Sequence, residues 1–156
     1  MRYSLCNHWE FTEQWSDAFC RGEPVDCRPV RLPHTCRELP LHYADPSDYE
    51  MVCGYRRTLT VPDAPRVFLL FDGAAHQAEI YLNGQLAGQH QGGYTGFTIE
   101  ITDLVLRGTE NLLAVRLDTR EDPALPPFGF VIDYLTYGGL YREVWLLYTS
   151  PSPRDS

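Results

Sequence analysis

The strongest short-range signal for the fold is the stretch Gln77-Ala78-Glu79-Ile80-Tyr81-Leu82-Asn83-Gly84-Gln85-Leu86-Ala87-Gly88-Gln89-His90. Two strand-like runs, Gln77 to Leu82 and Leu86 to His90, flank the dipeptide Asn83-Gly84. A two-residue hairpin turn of type I′ requires positive φ at both central positions, which Asn and Gly tolerate. The stretch therefore predicts two antiparallel strands joined by a tight turn.

Short runs of the same kind lie on both sides of this hairpin, separated by turn residues. They predict further strands over Tyr55 to Val61, Arg66 to Phe71, Phe97 to Ile101, Asn111 to Asp118 and Glu143 to Tyr148. Thr102 to Gly108 predicts a short turn of helix closed by glycine. Short strands at this spacing, without long amphipathic helices, are typical of an all-β sandwich.

The expected interior of the sandwich is large and apolar. Leu113, Val115 and Leu117 share one face of their predicted strand. The residues expected to fill the core also include Tyr55, Phe68 and Phe71.

The first fifty residues are harder to interpret. They hold several aromatic residues, Trp9, Phe11, Trp15 and Phe19, but show no clean hydrophobic period. We expect this region to wrap the sandwich as a lead-in strand and irregular coil.

The length of 156 residues allows one domain with a substantial core. We place this domain at residues 1–148. Residues 149–156 are polar, and we interpret them as a disordered, non-native tail. A (β/α)8 barrel needs about 250 residues, so the chain has no room for one.

The formal net charge of −8 and the pI of about 5.0 argue against nucleic-acid binding, which depends on Lys and Arg neutralising phosphates. The basic residues are scattered along the chain. Their close pairs are Arg28 with Arg31 and Arg56 with Arg57. We interpret these pairs as part of a solvated face.

The cysteines give little sign of a metal or disulfide framework. Cys6, Cys20, Cys27, Cys36 and Cys53 are odd in number and include no Cys-x-x-Cys pair. No apolar run is long enough to indicate a signal peptide or a membrane span. We therefore expect reduced thiols, no membrane partner and a cytoplasmic location.

A long irregular stretch follows Thr119 and begins with the Pro-rich run Glu121 to Pro127. Long loops in compact domains are uncommon unless they serve a binding role. This stretch is therefore the first place to expect a functional site.

Seven short motifs occur in a fixed order between about Leu32 and Leu147. They are Leu32-Pro33-His34-Thr35, Gly54-Tyr55-Arg56-Arg57, Phe71-Asp72-Gly73-Ala74 with Ala78 to Gly84, Gly92 to Phe97, Ile101 to Leu104, Glu110 to Arg116, and Gly138-Gly139-Leu140-Tyr141-Arg142-Glu143-Val144. Together they resemble the N-terminal sugar-binding domain of glycoside hydrolase family 2, the β-galactosidases and β-glucuronidases.

This resemblance implies a jelly-roll β-sandwich of the galactose-binding type. It also implies an immunoglobulin-like domain and a catalytic barrel after this domain in a longer enzyme, most similar to a β-galactosidase and homo-oligomeric. The family takes both catalytic carboxylates from the barrel. We accordingly assign no catalytic residue here, and we expect the isolated chain to be inactive.

The resemblance also marks Asp133, which matches an aspartate that reaches from this domain into the active-site pocket. An ionised carboxylate offers two acceptor oxygens, which suit adjacent sugar hydroxyls or a hard cation such as sodium. The neighbouring Tyr134, with Phe128 and Phe130, could present an aromatic face to a sugar ring. A solvated loop acid among packing aromatic residues is the alternative.

His42 lies near the position where many relatives carry a sugar-binding Asn. It would replace an amide with a side chain that titrates near neutral pH. An exposed loop histidine without a role is the alternative.

Two further hypotheses for the chain stay open at this point. The first is a free-standing carbohydrate-binding module, which acts by recognition alone. The second is a purely architectural sandwich, in which Asp133 would form a salt bridge with Arg142 or Arg120 inside the fold.

Overall fold

The computed structural model describes residues 2–32, 52–72, 77–91, 96–118 and 143–149. Within these ranges the chain forms ten β-strands and one short helix. In chain order they are β1 (Arg2–Ser4), β2 (Trp9–Thr12), α1 (Asp17–Cys20), β3 (Arg28–Val30), β4 (Val52–Thr60), β5 (Val67–Phe71), β6 (Gln77–Leu82), β7 (Gln85–Gln91), β8 (Phe97–Glu100), β9 (Glu110–Asp118) and β10 (Val144–Tyr148).

The strands form two antiparallel sheets that pack face to face. The small sheet has the strand order β1-β10-β5-β8, and the large sheet has the order β3-β2-β4-β9-β6-β7. The chain crosses from one sheet to the other several times, as in a jelly roll. The all-β sandwich predicted from the sequence is confirmed, and the strands predicted from Tyr55 onward are present with small shifts at their ends.

The hairpin predicted at Asn83-Gly84 is confirmed. β6 pairs with β7, and φ is 52° at Asn83 and 83° at Gly84. The Asn83 side chain also ties the turn to β9, because its Nδ2 donates to Asn111 Oδ1 and its Oδ1 accepts from Leu112 N, both at 2.9 Å. The turn residue therefore fixes the hairpin to its neighbouring strand as well as reversing the chain.

The core lies between the two sheets. Leu113, Val115 and Leu117 are fully buried along one face of β9, as predicted, and so are Tyr55 and Phe71. Burying a side chain of this size stabilises the fold by about 1.5–3 kcal/mol.

Phe68 does not belong to this core, contrary to the expectation from the sequence. Along β5 the pleat turns Val67, Leu69 and Phe71 inward, so Phe68 and Leu70 face outward and are half-buried. Apolar side chains at every position of β5 hid the alternation from sequence analysis.

The first thirty residues are more regular than the predicted lead-in strand and coil. β1 joins the small sheet beside β10, and β2 and β3 extend the large sheet beside β4. The chain changes sheets between β1 and β2, where His8 has a φ of 67°. Each strand is only three or four residues long, which is too short to show a period of its own.

Residues 13–27 form a covering segment on the outer face of the large sheet. It contains α1, which Ser16 caps by accepting a hydrogen bond from Phe19 N through its Oγ at 3.1 Å. Trp15 and Phe19 lie directly over Gly54 of β4. A Cβ atom at position 54 would lie 2.6 Å from Trp15 and 2.9 Å from Phe19, so only glycine lets the segment approach so closely.

Arg56 anchors the covering segment, and its assignment to a solvated face was wrong. Its side chain is only 7% exposed. Nε donates to Glu10 Oε1 at 2.8 Å, and Nη1 donates to Phe19 O at 3.0 Å and to Glu23 O at 2.9 Å. The guanidinium also stacks 4.4 Å from the Phe19 ring centroid. These hydrogen bonds satisfy the buried charge and join β2, β4 and the end of α1.

The thiols of Cys6, Cys20 and Cys27 are free. Burial, with a smaller contribution from Asp17, raises the pKa of Cys20 above its ordinary value. Cys36 lies outside the described residues. The described part of the chain has no helix with the length and hydrophobicity needed to cross a membrane.

Replacing Arg56 by lysine tests the anchor. Lys keeps the charge but cannot reproduce the fork that reaches Glu10 and two carbonyl oxygens, so we expect R56K to lower the free energy of unfolding by about 2 kcal/mol. Urea denaturation measures the change. R21K is the matched control, because the Arg21–Glu23 pair lies on the same segment but is 60% and 51% exposed, and exposed pairs contribute about 0–1 kcal/mol. Equal, small effects of R56K and R21K would contradict the anchoring role.

Candidate functional site

Several strand ends meet at one end of the sandwich, which we call the loop end. In the large sheet the register pairs Val52 with Asp118, Asp118 with Gln77, and Gln77 with Gln91. In the small sheet the matching row is Val144, Phe71 and Phe97.

Three connections between the sheets begin and finish at the loop end. They are residues 73–76 between β5 and β6, residues 92–95 between β7 and β8, and residues 119–142 between β9 and β10. Residues 33–51 enter β4 at this end as well. A rigid sandwich that gathers its connections at one end is a common way to present binding residues.

The sequence-predicted site residues fall in two of these segments. Asp133 and Tyr134 belong to residues 119–142, and His42 belongs to residues 33–51, so all three lie outside the described residues. The structure does bring the bases of the two segments together. Val52, where one segment rejoins the sheet, is the register partner of Asp118, where the other leaves it.

Polar groups surround the bases of these segments. Asp118 is only 8% exposed at the end of β9. On the small sheet, Asp72 Oδ2 accepts a hydrogen bond from Trp145 Nε1 at 3.2 Å, and Asp72 N donates to Glu143 O at 2.9 Å. These bonds hold the end of β5 against the start of β10 and position Glu143, the residue directly before β10.

A column of three rings closes the sandwich beside the loop end. His90 of β7 stacks on Phe97 of β8 with 4.3 Å between ring centroids, and Phe97 stacks on Phe71 of β5 at 5.0 Å. The column links the edge strand of the large sheet to the small sheet. Sequence analysis missed it, because the column joins strands of different sheets and β7 has a register shift that interrupts its alternation.

The sheets also approach closely at Gly88 on β7. A Cβ atom at position 88 would lie 2.8 Å from Ile99 Cδ1 on β8. The missing side chain therefore allows the two edge strands to close the sandwich here.

A cleft of about 410 Å³ opens beside the loop end, between residues 11–16 and residues 25–28. Arg28 Nη1 and Glu13 Oε2 approach to 3.5 Å at this cleft. Trp15 N donates to Val52 O at 2.9 Å, so the cleft adjoins the place where residues 33–51 enter the sheet.

Glu79 and Glu100, which lie on different sheets, serve separate local contacts. Glu79 on the outer face of the large sheet accepts from Tyr81 OH at 3.0 Å and from Arg116 Nη1 at 3.4 Å. Glu100 lies in the small sheet, where hydrogen bonds from Arg66 and Thr102 hold its pKa below the ordinary value. Among the described residues, no group of three or more His, Cys, Asp or Glu side chains could hold a metal ion.

The two antiparallel sheets and the crossovers between them define a class of protein, a jelly-roll β-sandwich domain. The family follows from the sequence. The model described as "Glycosyl hydrolases family 2, sugar binding domain" matches residues 28–151, and the chain belongs to this family.

Similar proteins agree with this assignment. A β-galactosidase of Thermoanaerobacter pseudethanolicus is 41% identical over 75% of this chain and 16% of its own length. A β-glucuronidase of Bacteroides fragilis is 38% identical over 97% of this chain and 21% of its own length. The chain therefore spans about a fifth or less of these relatives.

Solved structures show the same domain. A calcium-binding mutant of Bacteroides uniformis β-glucuronidase 2 matches with a TM-score of 0.79 and 30% identity, over 94% of this chain and 18% of that one. A Bifidobacterium dentium β-glucuronidase complexed with coumarin-3-O-glucuronide matches with a TM-score of 0.75 and 25% identity, over 97% of this chain and 30% of that one.

The close approach at Gly88 gives a testable prediction. We expect G88A to lower the free energy of unfolding by about 1–3 kcal/mol, because the new methyl group overlaps Ile99. The double variant G88A/I99V should be more stable than the sum of the two single effects predicts, because Val lacks the Cδ1 atom that lies closest to the new methyl group. Denaturation of all three variants completes the cycle. If the effects of G88A and I99V on the free energy of unfolding are strictly additive, the contact between Gly88 and Ile99 does not set the distance between β7 and β8. Q89A, at an exposed position on the same strand, is the control.

Proposed function

We propose that this chain is the N-terminal domain of a β-galactosidase-like enzyme that hydrolyses O-glycosidic bonds, and that its loop end forms one wall of the substrate pocket. The observation that carries the proposal is the pairing of Val52 with Asp118. Because of this pairing, the segments that contain His42 and Asp133 join neighbouring strands at the same end of the sandwich.

The roles proposed for this domain and for the barrel follow from the chemistry of glycoside hydrolysis. A retaining glycosidase needs two carboxyl groups about 5–5.5 Å apart. Glu79 and Glu100 lie on different sheets and are each engaged by an arginine. We therefore assign the catalytic pair to the barrel domain of a longer protein, and we assign substrate positioning to this domain.

In this proposal Asp133 contacts the terminal sugar. Its carboxylate accepts hydrogen bonds from adjacent hydroxyl groups, directly or through a bound cation such as sodium. Tyr134 offers an aromatic face to the C–H side of the sugar ring. His42 contributes a hydrogen-bonding group from the other segment.

A neutral galactoside is favoured over a glucuronide. Relatives that are 41% and 39% identical are β-galactosidases, whereas one that is 38% identical is a β-glucuronidase. A glucuronide carboxylate beside Asp133 would also place two like charges in one pocket, which disfavours their ionised forms. The homo-oligomeric state and the cytoplasmic location expected from the sequence remain predictions.

The genomic frame beyond the codon for Tyr148 provides the first test. We expect it to continue into an immunoglobulin-like domain and a barrel, and the encoded protein to hydrolyse an aryl β-galactoside. In that protein D133A should lower kcat/KM by about 10–100-fold, the equivalent of one hydrogen-bonded charged group. D63A is the matched control, because Asp63 is exposed between β4 and β5 at the opposite end of the sandwich. Equal activities of D133A and D63A would remove Asp133 from the site.

The isolated chain should bind sugar only weakly. A pocket completed by another domain lacks most of its contacts when that domain is absent, so we expect a Kd for galactose of about 1 mM or weaker and no hydrolysis of aryl glycosides. Isothermal titration with galactose and with glucuronic acid measures the affinity. A Kd below about 0.1 mM would instead support the free-standing carbohydrate-binding module.

A further inference from the structure

The outer face of the small sheet carries a patch of apolar side chains. Trp145 and Leu147 on β10 stand opposite Leu70 and Phe68 on β5, because the register pairs Trp145 with Leu70 and Leu147 with Phe68. All four side chains are half-buried and point away from the core. We call these four residues the outer apolar patch.

The two sheets differ in how their outer faces are treated. The covering segment packs on the large sheet, where Ala114 is 1% exposed and Arg56 is 6% exposed. Within the described residues, no comparable segment packs on the outer apolar patch. Adjacent large apolar side chains on the solvent side of a sheet are typical of an interaction surface.

Cations border the patch. The Arg2 guanidinium lies 4.1 Å from the Trp145 ring centroid, and the Arg66 guanidinium lies 5.0 Å from that of Phe68. Arg66 also pairs with Glu100 at 3.0 Å. An apolar centre with arginine at its rim resembles the composition of protein interfaces, which are rich in aromatic residues and arginine.

A groove leads from the patch to the end of β10. It has a volume of about 400 Å³ and is lined by Arg2, Phe68, Leu147, Tyr148 and Thr149. Tyr148, the last residue of β10, lies at its rim. Any polypeptide that continues beyond this residue starts beside the groove.

We propose that the outer apolar patch is the docking surface for the part of the longer protein that follows this domain. This inference rests on the proposed function, which makes the chain one domain of a longer enzyme. The docked surface would present apolar side chains to Trp145, Leu147 and Phe68, and an acidic group to Arg2.

The position of the end of β10 favours this occupant over a second copy of the domain. A directly linked segment competes at a high effective concentration. Two identical patches would also bring together the Arg2 and Arg66 rims, and two chains that each carry a net charge of −8 repel one another.

Cysteine labelling in the protein extended through the next domain tests the docking. We expect the alkylation rate of L147C by iodoacetamide, measured on its peptide by mass spectrometry, to be at least tenfold lower in the extended protein than in the 156-residue chain. The matched control is L86C, because Leu86 is 50% exposed on the edge strand of the other sheet. Its rate should differ less than twofold between the two proteins.

A second measurement, made without cysteine variants, guards against their misfolding. The contribution of Trp145 to the fluorescence is the difference between each protein and its W145F variant, and iodide should quench this contribution less in the extended protein, where Trp145 is covered. Equal L147C rates and an unchanged Trp145 contribution in the two proteins would overturn the proposal. Concentration-dependent dimerisation of the 156-residue chain that protects L147C would overturn it in favour of a second copy.

The experiments can contradict the docking surface and the proposed enzymatic function independently. An extended protein that hydrolyses aryl β-galactosides while L147C stays reactive would contradict only the docking surface. An extended protein that protects L147C without hydrolysing glycosides would contradict only the function. A reading frame without a further domain would overturn both.

Discussion

The pairing of β4 with β9 is the constraint on which the rest of the structure depends. The two strands pair without interruption from Val52 with Asp118 to Thr60 with Glu110. Every other strand of the large sheet is placed relative to this pair, β2 and β3 on one side and β6 and β7 on the other. The inward side chains of the pair, such as Tyr55 and Val115, build the core, and its outward face receives the covering segment.

Around Gly54 and Arg56 both faces of this strand pair are buried, whereas Thr58 and Thr60 farther along the outer face of β4 are exposed. The inner face is mainly apolar, and the buried amide of Asn111 is satisfied by hydrogen bonds to Asn83 and to the backbone of Leu106. The outer face accommodates a charged residue, because the Arg56 hydrogen bonds to Glu10, Phe19 O and Glu23 O compensate for its removal from water. A buried cation of this kind makes the packing specific, since its hydrogen bonds hold the covering segment at one position on the sheet.

The sequence predicted those parts of the fold that depend on local chemistry. The Asn83-Gly84 turn and the strands from β4 onward carry their own turn residues and apolar patterns, and they were identified correctly. β1, β2 and β3 were not, because strands of three or four residues are stabilised by partners far along the chain. Arg56 was misplaced because burial on an outer face depends on what packs there, and Phe68 was misplaced because β5 is apolar at every position.

The candidate site likewise combines residues identified from local motifs with an arrangement that depends on long-range contacts. Asp133, Tyr134 and His42 were chosen from motif resemblance, and the residues themselves lie outside the described ranges. The sequence could not reveal that their two segments start from paired positions on β4 and β9, because strand register is a long-range property. The stacking of His90 on Phe97 is likewise a contact between sheets that no local pattern shows.

The place of β10 in the small sheet has a consequence for how the domain forms during synthesis. β1 is made first, yet its strand partner is β10, which is made last and also separates β1 from β5. β5 can pair with β8 earlier, but the small sheet cannot be completed until Tyr148 has left the ribosome. Until then the apolar inner face of the large sheet has no complete partner, and pairings of such long sequence separation form slowly. The domain is accordingly built to fold as a single late event rather than strand by strand.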